Sequence, residues 1–285
     1  GDSSTLTWST TNADSCTASD GWSGAVGTAG TQSLSPTADA SYTLTCTGPG
    51  GSVTETVSVT VLPPPALDFS ADPTAIASGA SSTLTWSATE ADTCTASGGW
   101  TGTIATSGTQ IVSPTADTTY TLTCDGPGGS VSDSVSVTIL PAPTLTFSAD
   151  PTAIASGASS TLTWSSTDAT TCTASDGWSG AVGVSGTQSV TPTADTTYTL
   201  ECTGPGGSVS DSVSVTILPA PTLTFSADPT AIASGASSTL TWSTTDADSC
   251  TASDGWSGAV GTAGTQSVSP TADTTYTLTC DGAGG

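Results

Sequence analysis

The stretch "SSTLTWSSTDATTCTASDGWSG", residues 159–180, carries two signals that decide the fold. Leu162 and Trp164 alternate with Thr and Ser, the period-2 pattern of a strand with one buried face. Cys172 then precedes Trp178 by six residues, with Asp176–Gly177, a turn-forming pair, between them. Near-copies stand at residues 3–24, 81–102 and 237–258. Trp8, Trp86, Trp164 and Trp242 are each 78 residues from the last, and so are Pro36, Pro114, Pro192 and Pro270. A fixed step of this kind marks a tandem array of about four units.

Within the third unit, alternating segments are separated by Gly, Pro and Asp clusters, and no stretch holds a 3.6-residue period. Strands are expected at 145–157, 160–166, 171–175, 178–183, 186–192, 196–202 and 208–218. Seven short strands with turns every 8–12 residues describe an all-β, Ig-like sandwich. The repeats are placed at 1–62, 67–140, 145–218 and 223–285, the first without its opening strand and the last without its closing one. Gly1 aligns with Gly79 and Gly285 with Gly51, which reads as a window on a longer array. "LPPPALDF" at 62–69 and "LPAPTLTF" at 140–147 and 218–225 join the repeats. Closely spaced prolines favour extended, semi-rigid links, hence a rod.

Composition removes whole classes of function. Among 285 residues there are 24 acids and no Lys, Arg or His. Phosphate neutralisation needs Lys or Arg, so nucleic acid is not a partner. Catalysis lacks a histidine base, a Schiff-base lysine and an anion clamp, and the acids stand singly among Ser and Thr, so an enzyme is not expected. No apolar run approaches the roughly 20 residues of a membrane span. No cofactor and no metal is expected. Eight cysteines without CxxC spacing or His partners point to an oxidising, extracellular setting rather than to a redox or zinc site.

These motifs, with "TYTLECTGPGGSVSDSVSVTI" at 197–217, resemble the Ig-like, PKD-like tandem repeats of large bacterial secreted and cell-surface proteins. The resemblance spans all four units and implies an extracellular structural or adhesive role. The pattern departs from antibody domains, because Trp8 falls on the second strand and Cys16 on the third.

Strand parity places the cysteines. Tyr42, Leu44 and Cys46 share one face of their strand, and Leu6 and Trp8 share one face of theirs. These apolar faces point inward. With Cys16 inward as well, the pairs Cys16–Cys46, Cys94–Cys124, Cys172–Cys202 and Cys250–Cys280 are expected.

A two-residue turn at Asp20–Gly21 pairs Ser19 with Trp22 and directs both outward. Trp22, Trp100, Trp178 and Trp256 then form an exposed contact row, continued by Val26, Ile104, Val182 and Val260. Such a row serves self-packing into filaments and bundles, or stacking on glycan rings. A bulge that shifts the register would instead fold these tryptophans over the disulfides. Asp39, Asp117, Asp195 and Asp273 read as turn caps rather than calcium ligands, since six to eight oxygens do not converge.

The sequence as a whole reads as an extracellular rod of disulfide-stapled repeats that forms or extends a surface filament. The stalk of a large adhesin and a carbohydrate-binding array are the alternatives. With no Lys or Arg in the chain, trypsin leaves it intact even when reduced and denatured. Intact mass after overnight digestion checks this, and any fragment refutes it.

Overall fold

The computed structural model describes residues 3–285. The first repeat holds β1 (Ser4–Ser9), β2 (Ser15–Asp20), β3 (Gly24–Val26), β4 (Ala29–Leu34), β5 (Ala40–Gly48) and β6 (Gly51–Val59). The second holds β7 (Ala66–Asp72), β8 (Ala75–Ala77), β9 (Ser82–Thr89), β10 (Thr93–Gly98), β11 (Gly102–Ile104), β12 (Ser107–Val112), β13 (Thr118–Gly126) and β14 (Gly129–Leu140). The third holds β15 (Thr144–Asp150), β16 (Ala153–Ile154), β17 (Ser160–Thr167), β18 (Thr171–Asp176), β19 (Gly180–Val182), β20 (Ser185–Val190), β21 (Thr196–Gly204) and β22 (Gly207–Ile217). The fourth holds β23 (Thr222–Asp228), β24 (Ser238–Thr245), β25 (Ser249–Asp254), β26 (Gly258–Val260), β27 (Ala263–Val268) and β28 (Tyr276–Asp281). By contact density the chain divides into two compact units. One runs up to Thr74 and includes Ser81–Thr138; the other comprises Ala75–Ala80 and Ile139–Gly285.

The third repeat shows the complete design. One sheet has the order β15-β17-β20, the other β16-β22-β21-β18-β19. All neighbours are antiparallel except β16, which runs parallel to β22. Two facing sheets in this order make an Ig-like sandwich. The opening strand expected at 145–157 is in fact two strands, one in each sheet. Pro151 has no N–H to donate, so the ladder with β17 ends at Asp150 and the chain crosses to the other sheet. Of the segment 178–183, only Gly180–Val182 pairs as a strand.

The core lies between the inward faces. Leu162, Leu200 and Val215 are wholly buried, and Phe147, Ile154, Trp164 and Tyr198 are nearly so. Burying each large side chain contributes on the order of 1.5–3 kcal/mol. Trp164 lies opposite Gly186, where an added Cβ would stand 2.8 Å from the indole ring. The small residue lets the indole lie flat across the neighbouring strand. Outward positions are hydroxylated, and Thr43–Thr56, Thr123–Ser132 and Thr197–Ser214 pair across the last two strands at 2.8–3.0 Å.

The long last strand is a sheet edge over most of its length, since β16 pairs only with Thr216 and Ile217. Its inward register carries an acid, Asp133 in β14 and Asp211 in β22, opposite Leu122 and Leu200. Each carboxylate accepts the N–H of the next residue, Ser134 at 2.7 Å and Ser212 at 2.8 Å. Inward-pointing charge on an edge strand obstructs pairing with a foreign strand.

Links between repeats are held by backbone contact. The two-residue turn Pro205–Gly206 joins β21 to β22, and a Cβ on Gly206 would lie 1.8 Å from the Pro141 carbonyl oxygen. The same approach recurs at 1.9 Å for Gly128 on Pro63 and for Gly284 on Pro219. The turn of each following repeat therefore seats on the Leu-Pro link ahead of it. Gly50, at the equivalent place in the first repeat, has open space around its Cα. Replacing Gly206 by Ala must push one backbone off another, a cost of about 1–3 kcal/mol. Gly50→Ala meets nothing and stays near neutral. Thermal unfolding of the two variants compares them, and equal midpoints refute the seating.

Candidate functional site

The motif repeated in every copy is a disulfide beside a tryptophan. In the third repeat β18 and β21 pair so that Cys172 stands opposite Cys202. The two are bonded, and the bonds Cys16–Cys46, Cys94–Cys124 and Cys250–Cys280 form at the same register. Each spans 30 residues and lies inside one repeat. In the chain-entropy picture a loop of that size contributes about 3–4 kcal/mol. All eight cysteines are bonded, so no thiol is left for redox work.

The tryptophan row expected on the outside is not there. Strand β2 continues to Asp20, which pairs with Tyr42, and β3 begins only at Gly24. The connection is therefore not a two-residue turn, and Ser19 faces Thr43 rather than Trp22. Asp20 takes φ 68°, Asp176 and Asp254 take 64°, and Gly98 takes 80°. This left-handed residue ends the strand and swings the loop back over the sandwich. Strand alternation does not carry through a residue in that region. Trp22, Trp100, Trp178 and Trp256 are consequently half-buried. Val26, Ile104, Val182 and Val260 are corrected with them. They stand opposite Cys16, Cys94, Cys172 and Cys250, on the inward face.

Trp178 is the centre of an aromatic cluster fed by both sheets. It stacks on Phe147 at 5.8 Å and 13°, meets Trp164 edge-on at 5.3 Å, and meets Tyr198 edge-on at 6.5 Å. Its indole N–H donates to the Thr199 carbonyl at 3.0 Å, while Trp164 donates to Gly183 at 2.8 Å. Trp100 repeats the arrangement with Phe69, Trp86 and Tyr120, and Trp256 with Phe225 and Trp242. Offset and edge-on pairs contribute about 0.5–1.5 kcal/mol each beyond their area. The Trp178 indole is thus stacked on one ring, met edge-on by two more and tied through its nitrogen.

The recurring acids are structural as well. Asp39 accepts the Val61 N–H at 2.8 Å, and Asp195 accepts the Ile217 N–H at 2.7 Å. The carboxylate ahead of one strand thus ties down the end of the next. No cluster of three or more metal-ligating side chains forms among the described residues. Burial raises the phenols of Tyr120 and Tyr198 above the usual value, a hydrogen bond with the Thr196 side chain partly offsetting it in Tyr198. An open face in the first repeat, with a volume of about 380 Å³, is bounded by Leu6, Trp8, Trp22, Tyr42, Leu44 and Val57.

No family model matches the chain, and no curated protein matches it. Solved structures do. Extracellular domains 3–5 of Drosophila OTK are 10% identical, over 76% of this chain and 91% of that one, with a TM-score of 0.33. The D1–D4 ectodomain fragment of ICAM-5 is 13% identical, over 88% and 84%, with a TM-score of 0.33. The three N-terminal domains of the highly immunogenic outer capsid protein of bacteriophage RB49 are 13% identical, over 69% and 70%, with a TM-score of 0.31. The fold assignment rests on strand order and register, independently of these likenesses.

Trp178→Ala removes the centre of the cluster and lowers stability by about 3–5 kcal/mol, as for buried aromatics generally. A surface tryptophan would change it by no more than about 0.5 kcal/mol. Urea unfolding of the variant separates the two, and a near-neutral result returns the residue to the surface.

Proposed function

We propose that the chain is part of an extracellular structural protein, an array of Ig-like repeats bounded at 1–62, 67–140, 145–218 and 223–285, that forms or extends a surface filament. One observation carries the reading. The same sandwich, with the same internal disulfide, recurs on a 78-residue step, and each link is seated against the next repeat's turn. An array of this kind gains length by adding units rather than chemistry. The absence of Lys, Arg and His from the sequence leaves acid–base catalysis and anion binding without their usual groups.

The disulfides suit an oxidising space outside the cell, and the resemblance to bacterial secreted repeats supports reading that space as a cell surface. A formal charge of −24 with nothing to balance it keeps parallel chains apart at low salt and keeps the array soluble. Covalent continuity through the links, not lateral packing of tryptophans, supplies the cohesion.

Antibodies raised against the chain, carrying gold and applied to intact source cells, test the reading. Labels are expected in lines along surface fibres. Labels inside the cell, or on the surface without any fibre, refute it.

A further inference from the structure

The chain contains three Asp–Pro bonds, Asp72–Pro73, Asp150–Pro151 and Asp228–Pro229, on the same 78-residue step as the rest of the motif. Each aspartate is the last residue of a strand, β7, β15 or β23, and both partners of every bond are exposed. A bond of this kind carries its own means of hydrolysis. The proline nitrogen belongs to a tertiary amide and leaves more readily than an ordinary peptide nitrogen, and the chain itself holds the carboxyl beside the carbonyl. In dilute acid the proline nitrogen takes up a proton, and a carboxylate oxygen of Asp attacks the Asp backbone carbonyl carbon. The new C–O bond forms, the C–N bond breaks, and its electron pair leaves with the nitrogen as a secondary amine. Water then opens the cyclic anhydride to two carboxyl groups, so each cut consumes one water and no other reactant. No basic side chain takes part, and the sequence has none.

The two sides of each bond are anchored separately. Upstream, β15 pairs with β17 from Thr144 opposite Thr167 to Asp150 opposite Thr161, and Phe147 stacks on Trp178 at 5.8 Å. Strand β7 lies on β9 and β23 on β24 in the same register, with Phe69 on Trp100 at 5.7 Å and Phe225 on Trp256 at 6.0 Å. Downstream, the Pro151 carbonyl accepts the Ser160 hydroxyl at 2.8 Å, and β16 pairs with β22. Ser238 donates to the Pro229 carbonyl at 2.8 Å. Of the strands packed on β15, β17 has no ionisable side chain and β22 has Asp211, already engaged with the Ser212 N–H. Strands β9 and β24 have none either, and β7 adds only Asp68 on the face of Asp72. No disulfide crosses any of the three bonds, so only non-covalent contact would span a cut.

We propose that these bonds are self-scission sites, at which acid divides the chain once per repeat into pieces that stay joined. The first strand of each repeat remains seated in the sandwich it opens. It passes from part of the chain to bound ligand, held by a seven-residue ladder and an aromatic stack.

The test warms the whole 285-residue chain in dilute acid, returns it to neutral pH and divides the sample. Mass spectrometry under denaturing, non-reducing conditions is expected to find 1–72, 73–150, 151–228 and 229–285 as the dominant products. Native sizing with light scattering is expected to find no species smaller than the uncut chain. Asp150→Glu moves the carboxyl by one methylene, and a cut about tenfold slower at that bond alone is expected. Circular dichroism verifies that this surface variant is folded. Four results overturn the proposal: an uncut chain, dominant cleavage at other bonds, an unslowed cut in the Asp150→Glu chain, or free single-repeat pieces at neutral pH. None of them bears on whether the array forms filaments.

Discussion

Everything in a repeat is arranged around one indole. The chain is only 5% aromatic, so each sandwich has a thin core for its length. Small domains of this size bury too little surface to be secure on side-chain packing alone. Trp178 meets that constraint by touching three other rings, two from one sheet and one from the other. The disulfide beside it joins two strands of a single sheet, so it cannot hold the sheets together. Crosslink and cluster therefore divide the task. One restrains the unfolded chain and the other closes the sandwich.

Much of this is legible in the sequence, because the repeats restate it. Alternation of Leu162 and Trp164, and of Tyr198, Leu200 and Cys202, states which faces are apolar, and the 78-residue step states how often. The inward parity of Cys172 and Cys202 follows from the same alternation. The direction of Trp178 does not follow, because parity can be counted only while the chain stays extended. One residue at positive φ, Asp176, resets the count. The missed clue was Gly177, whose Cβ would stand 2.8 Å from the Tyr198 ring. A glycine there is needed for the loop to fold inward rather than only to turn. Likewise, Pro151 in an apolar run is the sign that one expected strand is really two.

The acids show how a protein without a single basic side chain avoids collapse and aggregation together. No ion pair with a basic side chain can form, so carboxylates take backbone N–H groups as partners. Asp195 does this for Ile217 and Asp211 for Ser212. The first ties the end of a strand to the loop before its neighbour. The second places a charge on the inner side of an edge. A hydrogen bond from a neutral amide to a carboxylate is among the stronger kinds. Here it replaces salt bridges altogether, and it is less sensitive to ionic strength than an exposed ion pair would be.

The seat between each Leu-Pro link and the following turn has a consequence for inheritance. Both halves of the joint, the link after one repeat and the turn glycine of the next, recur at the same offsets. Unequal recombination between two copies of the gene in this step cuts and rejoins at equivalent places, and every new junction is one the protein already makes. An array jointed in this way can change length by whole units and leave every joint as it was.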